Sequence, residues 1–161
     1  MAAIIDDDSR GFAELEREHL RRKYLPDFEW TRYDTPSARV PLPVPLNQAR
    51  VGLVDTCGAH LVGEAPVGSS GRAALMPVDA EITLTHSGYD VERALRDTEV
   101  VHPVRTLQRL ADEGFIGEVA ETAVSVMGGV LIAKRLLDRG VPAAVDAMRE
   151  ELVDLALLVP A

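Results

Sequence analysis

Residues that could do chemistry are concentrated in short segments of this sequence, each of which follows an apolar run with the composition of a buried strand. Parallel strands end at a common edge of an open α/β sheet, and ligands bind along that edge. We therefore expect these segments to meet at one place, called the rim below. The segments are residues 57–60, 86–90, 127–129 and 160–161.

Three side chains of the predicted rim are candidates for catalysis. Cys57 is a candidate nucleophile if His60 or a helix N-terminus lowers the pKa of its thiol. His60 and His86 suit a proton donor and an orienting group, because imidazole titrates near neutral pH. Two structural alternatives stay open: Cys57 as a small buried apolar residue, and both imidazoles as groups that bind backbone carbonyls.

Cys57, His60 and His86 also have the donor types of a zinc site, but their spacing is not diagnostic of one. No cofactor is therefore predicted, and a metal at the two histidines is kept only as an alternative. The other rim residues are predicted to bind substrate, since they are polar or allow close backbone approach. They are Gly58, Ser87, Tyr89, Asp90, Met127, Gly128 and Gly129.

The hydrophobic pattern predicts an α/β domain over residues 51–161. Apolar runs that end in Gly or polar residues indicate buried strands, and helical spacing with Pro at the start and Gly at the end indicates helices. This alternation predicts a mostly parallel sheet covered by helices on both faces, a three-layer arrangement of the Rossmann or flavodoxin type. The predicted strands are 51–56, 82–85, 119–126 and 153–161, and the predicted helices are 103–114, 130–139 and 142–152.

Residues 1–50 are predicted to form a helix and a Pro-rich extended strap. Residues 11–24 have helical spacing, with Ser9 as the expected N-cap. Five prolines between residues 25 and 50 prevent a continuous hydrogen-bond ladder, so this part is expected to run extended along the surface. Too few residues precede the strap to form a core of their own.

The overall composition limits the function classes. The 161 residues carry 17 Lys and Arg against 26 Asp and Glu, a formal charge of -9, which argues against binding to nucleic acids or anionic membranes. No apolar run is long enough for a membrane span, and the start, MAAIIDDDSR, lacks the features of a signal peptide. The single cysteine excludes an internal disulfide, and a cytoplasmic location is expected.

From Val51 onward the sequence resembles the B component of the D-proline and glycine/sarcosine/betaine reductases, bacterial selenoprotein enzymes that reductively cleave a carbon–nitrogen bond. No single motif is specific, but five occur in the family's order over about two thirds of the chain. The matching segments are VGLVDTCGAHL (51–61), THSGYD (85–90), LQRLADEGFIGEVA (107–120), MGG (127–129) and VDLALLVPA (153–161).

The resemblance implies an oxidoreductase that acts on a small amine or amino-acid-like substrate, coupled to a dithiol. In that family a loop with selenocysteine or cysteine follows the last strand, whereas this sequence stops at Ala161. The resemblance therefore predicts a homo- or hetero-oligomer in which a thiol-bearing subunit lies near the C-terminus. It assigns no role to Cys57, because the family usually has a small residue there.

Three functions remain open from the sequence. The first is a reductase subunit that contributes a substrate pocket at the rim while a partner chain supplies the redox nucleophile. The second is a self-contained enzyme with altered chemistry at Cys57, His60 and His86, with His102 as a further candidate. The third is a non-catalytic binding or assembly module.

Overall fold

The computed structural model describes the backbone of residues 7–88 and 90–161, and the side chains from residue 11 onward within these ranges. Its contacts group the chain into two compact units, Met1–Ala38 and Arg39–Ala161. The predicted domain division after residue 50 stays a prediction, although the strap residues from Arg39 group with the second unit. The strap contacts that unit directly: the carbonyl of Ala49, for example, accepts backbone hydrogen bonds from Gly117 and Glu118.

The first unit contains one long helix, α1 (Asp7–Lys23), and the chain that follows it. Phe28 is buried and packs edge-to-face against Trp30, with the ring centroids 5.0 Å apart. The indole Nε1 of Trp30 donates to the carbonyl of Ala13, which ties the returning chain to α1. Ser9 lies within the helix, so its prediction as N-cap is wrong.

A five-stranded sheet forms the centre of the second unit. Its middle strand, β1, pairs in parallel with β5 and β6 along one edge and with β7 along the other. Strand β3 pairs antiparallel with β6 at the far side, so the sheet is mostly parallel. The strands of this unit are β1 (Arg50–Asp55), β2 (Ala59–Leu61), β3 (Ala73–Pro77), β4 (Ile82–Leu84), β5 (Glu118–Val119), β6 (Thr122–Val126) and β7 (Leu155–Val159).

Helices cover both faces of this sheet, which confirms the predicted three-layer α/β class. On one face, Val104 and Leu107 of α3 pack against Leu53 in a buried apolar cluster. On the other face α5 approaches so closely that a Cβ on Gly52 would lie 2.3 Å from the sulfur of Met148. The helices of this unit are α2 (Glu92–Arg96), α3 (Val104–Asp112), α4 (Ala133–Arg135) and α5 (Val141–Glu150), with a π-turn, Leu136–Gly140, that joins α4 to α5.

Two predicted strands differ in the structure. The segment Ile82–Leu84 is not part of the parallel sheet but pairs antiparallel with β2 in a separate two-stranded sheet. The last strand, β7, is not buried, because it lies at the sheet edge with a pairing partner on one side only among the described residues. Leu158 of β7 is 69% exposed.

Two predicted helices also differ. Regular α-helix begins only at Ala133 within the predicted helix 130–139, and the π-turn follows it directly. Helical spacing over 142–152 predicts that Leu152 faces inward together with Ala143 and Ala147. In the structure Leu152 is 79% exposed with φ at 56°, because α5 ends at Glu150 and the chain turns sharply there toward β7. Over the described ranges 7–88 and 90–161, no helix has the length and apolar character to cross a membrane.

The carboxylate of Glu99 caps the first turn of α3. It accepts the backbone N–H groups of Arg105 and Thr106 at 3.0 and 2.8 Å, and the Thr106 hydroxyl at 2.9 Å. Burial raises the pKa of Glu99, but these hydrogen bonds outweigh that effect and the pKa lies below its usual value. The carboxylate form is thus the one that stabilises the fold.

Glu99→Ala is expected to lower the free energy of unfolding at neutral pH by about 0.5–2 kcal/mol, the usual range for a lost N-terminal cap. Because the folded pKa is depressed, this contribution is present above the unfolded pKa of about 4.3 and disappears as the pH falls through the folded value. Urea unfolding at neutral and acid pH measures both effects. Glu113→Ala, at an exposed position just after α3, is the control, and an equal loss in both variants would contradict the capping role.

Candidate functional site

The carboxyl ends of three strands come together as the sequence predicts. Thr56 follows β1, and its carbonyl accepts the N–H of Gly128, which follows β6, at 2.8 Å. The Thr56 hydroxyl accepts the N–H of Ala161, which follows β7, also at 2.8 Å. Cys57 and Met127 form an isolated antiparallel bridge beside them. These contacts build the rim.

His86 reaches this rim from the loop after β4. A Cβ on Gly128 would lie 2.9 Å from the His86 Nε2, and equally close to the carbonyls of Thr56 and Ala161, so only glycine fits there without a shift. The Nδ1 of His86 accepts the Gly88 N–H at 2.9 Å, which leaves the proton of the neutral ring on Nε2. Burial lowers the pKa of His86, so the ring is neutral at pH 7.

His60 holds the small sheet together. Its Nδ1 lies 3.2 Å from the carbonyl of Leu61 and its Nε2 lies 3.1 Å from the hydroxyl of Thr85, so both nitrogens are occupied. The ring is buried. This geometry matches the structural alternative for His60, and its catalytic role stays a prediction.

Cys57 lies beneath the rim and is fully buried. Its thiol donates to the Oδ1 of Asp55 at 2.9 Å. Burial, followed by the charge of Asp55 and this hydrogen bond, raises the pKa of the thiol far above its usual value. In this conformation Cys57 is a protonated thiol without access to solvent, and its role as a nucleophile stays a prediction.

Iodoacetamide at pH 8 is expected to leave Cys57 unmodified in the native chain and to alkylate it completely in urea. The physical reason is that alkylation needs a thiolate within reach of the reagent. Because the chain has one cysteine, intact-mass spectrometry reads the result directly. Rapid alkylation of the native chain would favour the reactive-cysteine hypothesis instead.

Asp55, which the sequence analysis did not single out, is the centre of a buried polar network. The carboxylate has no exposed surface, and it accepts the His102 Nδ1–H at 2.7 Å on Oδ2. On Oδ1 it accepts the Ser125 hydroxyl at 2.5 Å and the Cys57 backbone N–H at 3.1 Å. An acidic residue at the end of an apolar strand was the available signal, but its partners lie 47 and 70 residues away.

Four further predicted substrate-binding residues lie close to His86 in the sequence or directly after Gly128. Ser87 is exposed, and the Asp90 carboxylate accepts the N–H of Glu92 at 2.9 Å just before α2. Gly129 has a φ of 61° and open space around it. Tyr89 lies outside the described residues.

No metal site is formed by the described residues, since none of their His, Cys, Asp and Glu side chains gather in groups of three or more. A cavity of about 290 Å³ lies at the opposite end of the sheet from the rim, where β6 begins. It is lined by Leu75, Met76, Pro77, Glu121, Thr122, Ala147, Glu150 and Glu151.

Helices on both faces of a mostly parallel sheet, with polar and glycine residues at the strand carboxyl ends, define the α/β class whose ligand sites lie at that edge. Over 128 residues, 76% of this chain, the sequence is 28% identical to the D-proline reductase subunit gamma of Acetoanaerobium sticklandii. The matched region is 53% of that protein, so the chain spans about half the length of its curated relative.

This similarity supports a distant relationship to a reductase family. The relative is named a gamma subunit of D-proline reductase, whereas the sequence analysis expected a B component, so the finer assignment is not shown. No protein-family profile matches the chain. No solved structure matches it either.

Proposed function

We propose that this chain is a subunit of a heteromeric reductase of the D-proline reductase type, in which the rim forms one wall of the substrate pocket. The observation that carries this proposal is the convergence of His86, Gly128 and the end of β7 at one edge of the sheet. Similarity to a reductase subunit supports the same function class. The substrate class is a small amine or amino acid.

The exposed groups of the rim suit such a substrate. The carboxylate of Asp90 and the hydroxyl of Ser87 lie on the exposed loop that carries His86, and they can accept hydrogen bonds from an ammonium group. The His86 ring packs against Gly128 and forms part of the wall beside these groups. Gly129, where nothing lies within 4 Å of an added Cβ, lets a ligand approach the backbone close to this loop.

The redox thiol or selenol is proposed to come from a partner chain, since the one thiol described here is buried and protonated. Strand β7 provides the surface for that partner. The carbonyl of Val159 points toward β1, where it accepts the Thr56 N–H, so by strand alternation the backbone groups of Ala156 and Leu158 point outward. Apolar side chains flank this open edge, with Leu155 41% and Leu157 38% exposed.

A partner strand that pairs in parallel with β7 would bring its own carboxyl end to the rim. In that arrangement a thiol-bearing loop of the partner would lie beside His86, where a substrate amine would be held. Burial of the exposed leucines would supply the apolar contact area of such an interface. Edge pairing and side-chain burial together thus account for a partner-dependent site.

The experiment is purification of the tagged chain from its native host, followed by native mass spectrometry and an assay of D-proline reduction with a dithiol. We expect a complex with a thiol- or selenol-bearing chain, and loss of both the complex and turnover in Leu158→Lys. Val62→Lys, at another exposed apolar position, is the control and should retain both. A chain that stays monomeric in its host, or a complex without a thiol partner, would contradict the proposal.

A further inference from the structure

We propose that His102, oriented by the buried Asp55, is the residue that transfers a proton to the substrate at this rim. The chemical step rests on the proposed function, whereas the geometry of the pair stands independently of it. Asp55 is the last residue of β1 and directly precedes Thr56 of the rim, and His102 lies just before α3. The pair therefore lies at the carboxyl end of the central strand.

The Asp55 carboxylate is fixed on both oxygens. Ser125 accepts the N–H of Ala59 at 2.8 Å, so its hydroxyl hydrogen is directed to Asp55 Oδ1. Cys57 adds its N–H and its thiol to the same oxygen. With Oδ1 held in this way, Oδ2 has a fixed position from which it accepts the His102 Nδ1–H at 2.7 Å.

This hydrogen bond determines which ring nitrogen of His102 can react. A carboxylate acceptor retains the proton on Nδ1, so the lone pair of the neutral ring lies on Nε2. None of the described residues binds Nε2, and this atom is not fully buried. It therefore lies at the small exposed part of a side chain that is 6% exposed.

The other histidines of the site do not combine these properties. Both nitrogens of His60 bind protein groups, and burial lowers the pKa of His86. A fully buried carboxylate is costly to fold unless it is fully hydrogen-bonded, and carboxylates that orient a reactive imidazole are a recurrent use of such burial. Among the described histidines at the rim, His102 is thus the one built for proton transfer.

The proton balance of the proposed reaction needs such a group. In a reductive cleavage the substrate C–N bond breaks, carbon and nitrogen each gain one hydrogen, and two thiol groups of the partner are oxidised to a disulfide. The partner dithiol supplies the two electrons and two protons. His102 Nε2 accepts the proton of one thiol with its lone pair and passes it to the departing nitrogen, while the proton of the other thiol goes to the carbon.

The test uses His102→Asn in the complex purified from the native host. The asparagine amide can occupy the place of Nδ1–H and still donate to Asp55, but it cannot titrate, so a purely structural role would be rescued. We expect an unchanged melting temperature, a kcat at least about 100-fold lower and loss of one limb of its pH profile. His19→Asn, at an exposed position in α1, is the control and should match the wild-type chain.

Wild-type kcat in His102→Asn would overturn the inference while leaving the proposed function intact. If the wild-type complex does not reduce D-proline, the proposed function fails and a second measurement decides the inference. Diethyl pyrocarbonate, localised by peptide mass spectrometry, should then modify His102 in the folded chain and leave His60 unmodified. An unreactive His102 would overturn its assignment as a proton-transfer residue.

Discussion

Replacing Asp55 by alanine is expected to lower the free energy of unfolding by roughly 3–5 kcal/mol, the largest effect of any single substitution considered. The carboxylate has no exposed surface and receives hydrogen bonds from His102, Ser125 and Cys57. Its removal leaves these buried donors without an acceptor and opens a cavity at the end of the central strand. Urea denaturation followed by circular dichroism measures the loss.

Asp112→Ala is the control, because Asp112 is exposed at the last residue of α3. Surface substitutions of this kind usually change stability by less than about 0.5 kcal/mol. Asp55→Asn should fall between the two, since an amide keeps the volume but cannot accept on both of its heavy atoms. A loss below about 1 kcal/mol for Asp55→Ala would show that the network is not formed as described.

Gly58→Ala is expected to be the second most destabilising change, at about 2–5 kcal/mol, the sum of a left-handed backbone penalty and a steric clash. Gly58 has a φ of 70°, and an added Cβ would lie 2.4 Å from the carbonyl oxygen of Thr85. That oxygen belongs to the backbone, so it cannot move aside as a flexible side chain would. Thermal and urea unfolding measure the change.

Gly63→Ala separates the two contributions. Gly63 also has a positive φ, 89°, but nothing lies within 4 Å of the added Cβ. It should therefore show the backbone penalty alone, about 1–2 kcal/mol. Equal losses in the two variants would mean that the clash with Thr85 is relieved by movement of the loop, and that the loops bearing His60 and His86 are held together less firmly than the structure indicates.

The parts of the fold that sequence reasoning predicted well are those with strong local signals. The apolar run 51–56 forms β1, and Pro103 and Gly114 bracket α3 as expected. The meeting of the segments after β1, β6 and β7 followed from the geometry of parallel strands alone. Local composition therefore sufficed for the central sheet and the position of the rim.

Other features depend on contacts between residues far apart in the chain. The leucine-rich run 153–159 has a composition that suits an edge strand as well as a buried one. Its exposure depends on which strands lie beside it in the sheet, and the local sequence does not contain that information. The short strand β2 pairs with β4 instead of joining the main sheet, which no local pattern indicates. The Asp55–His102 pair is likewise a product of tertiary structure.

The outer edge of β7 also bears on how the chain behaves when it is produced alone. An unpaired edge strand with exposed leucines can pair with strands of further copies of the chain, which leads to aggregation. By the same alternation that turns Ala156 and Leu158 outward, the next outward position is Pro160, which has no N–H to donate. This proline limits the edge to two donors, so it acts as a gatekeeper that disfavours extended fibres while still allowing one short partner strand to bind.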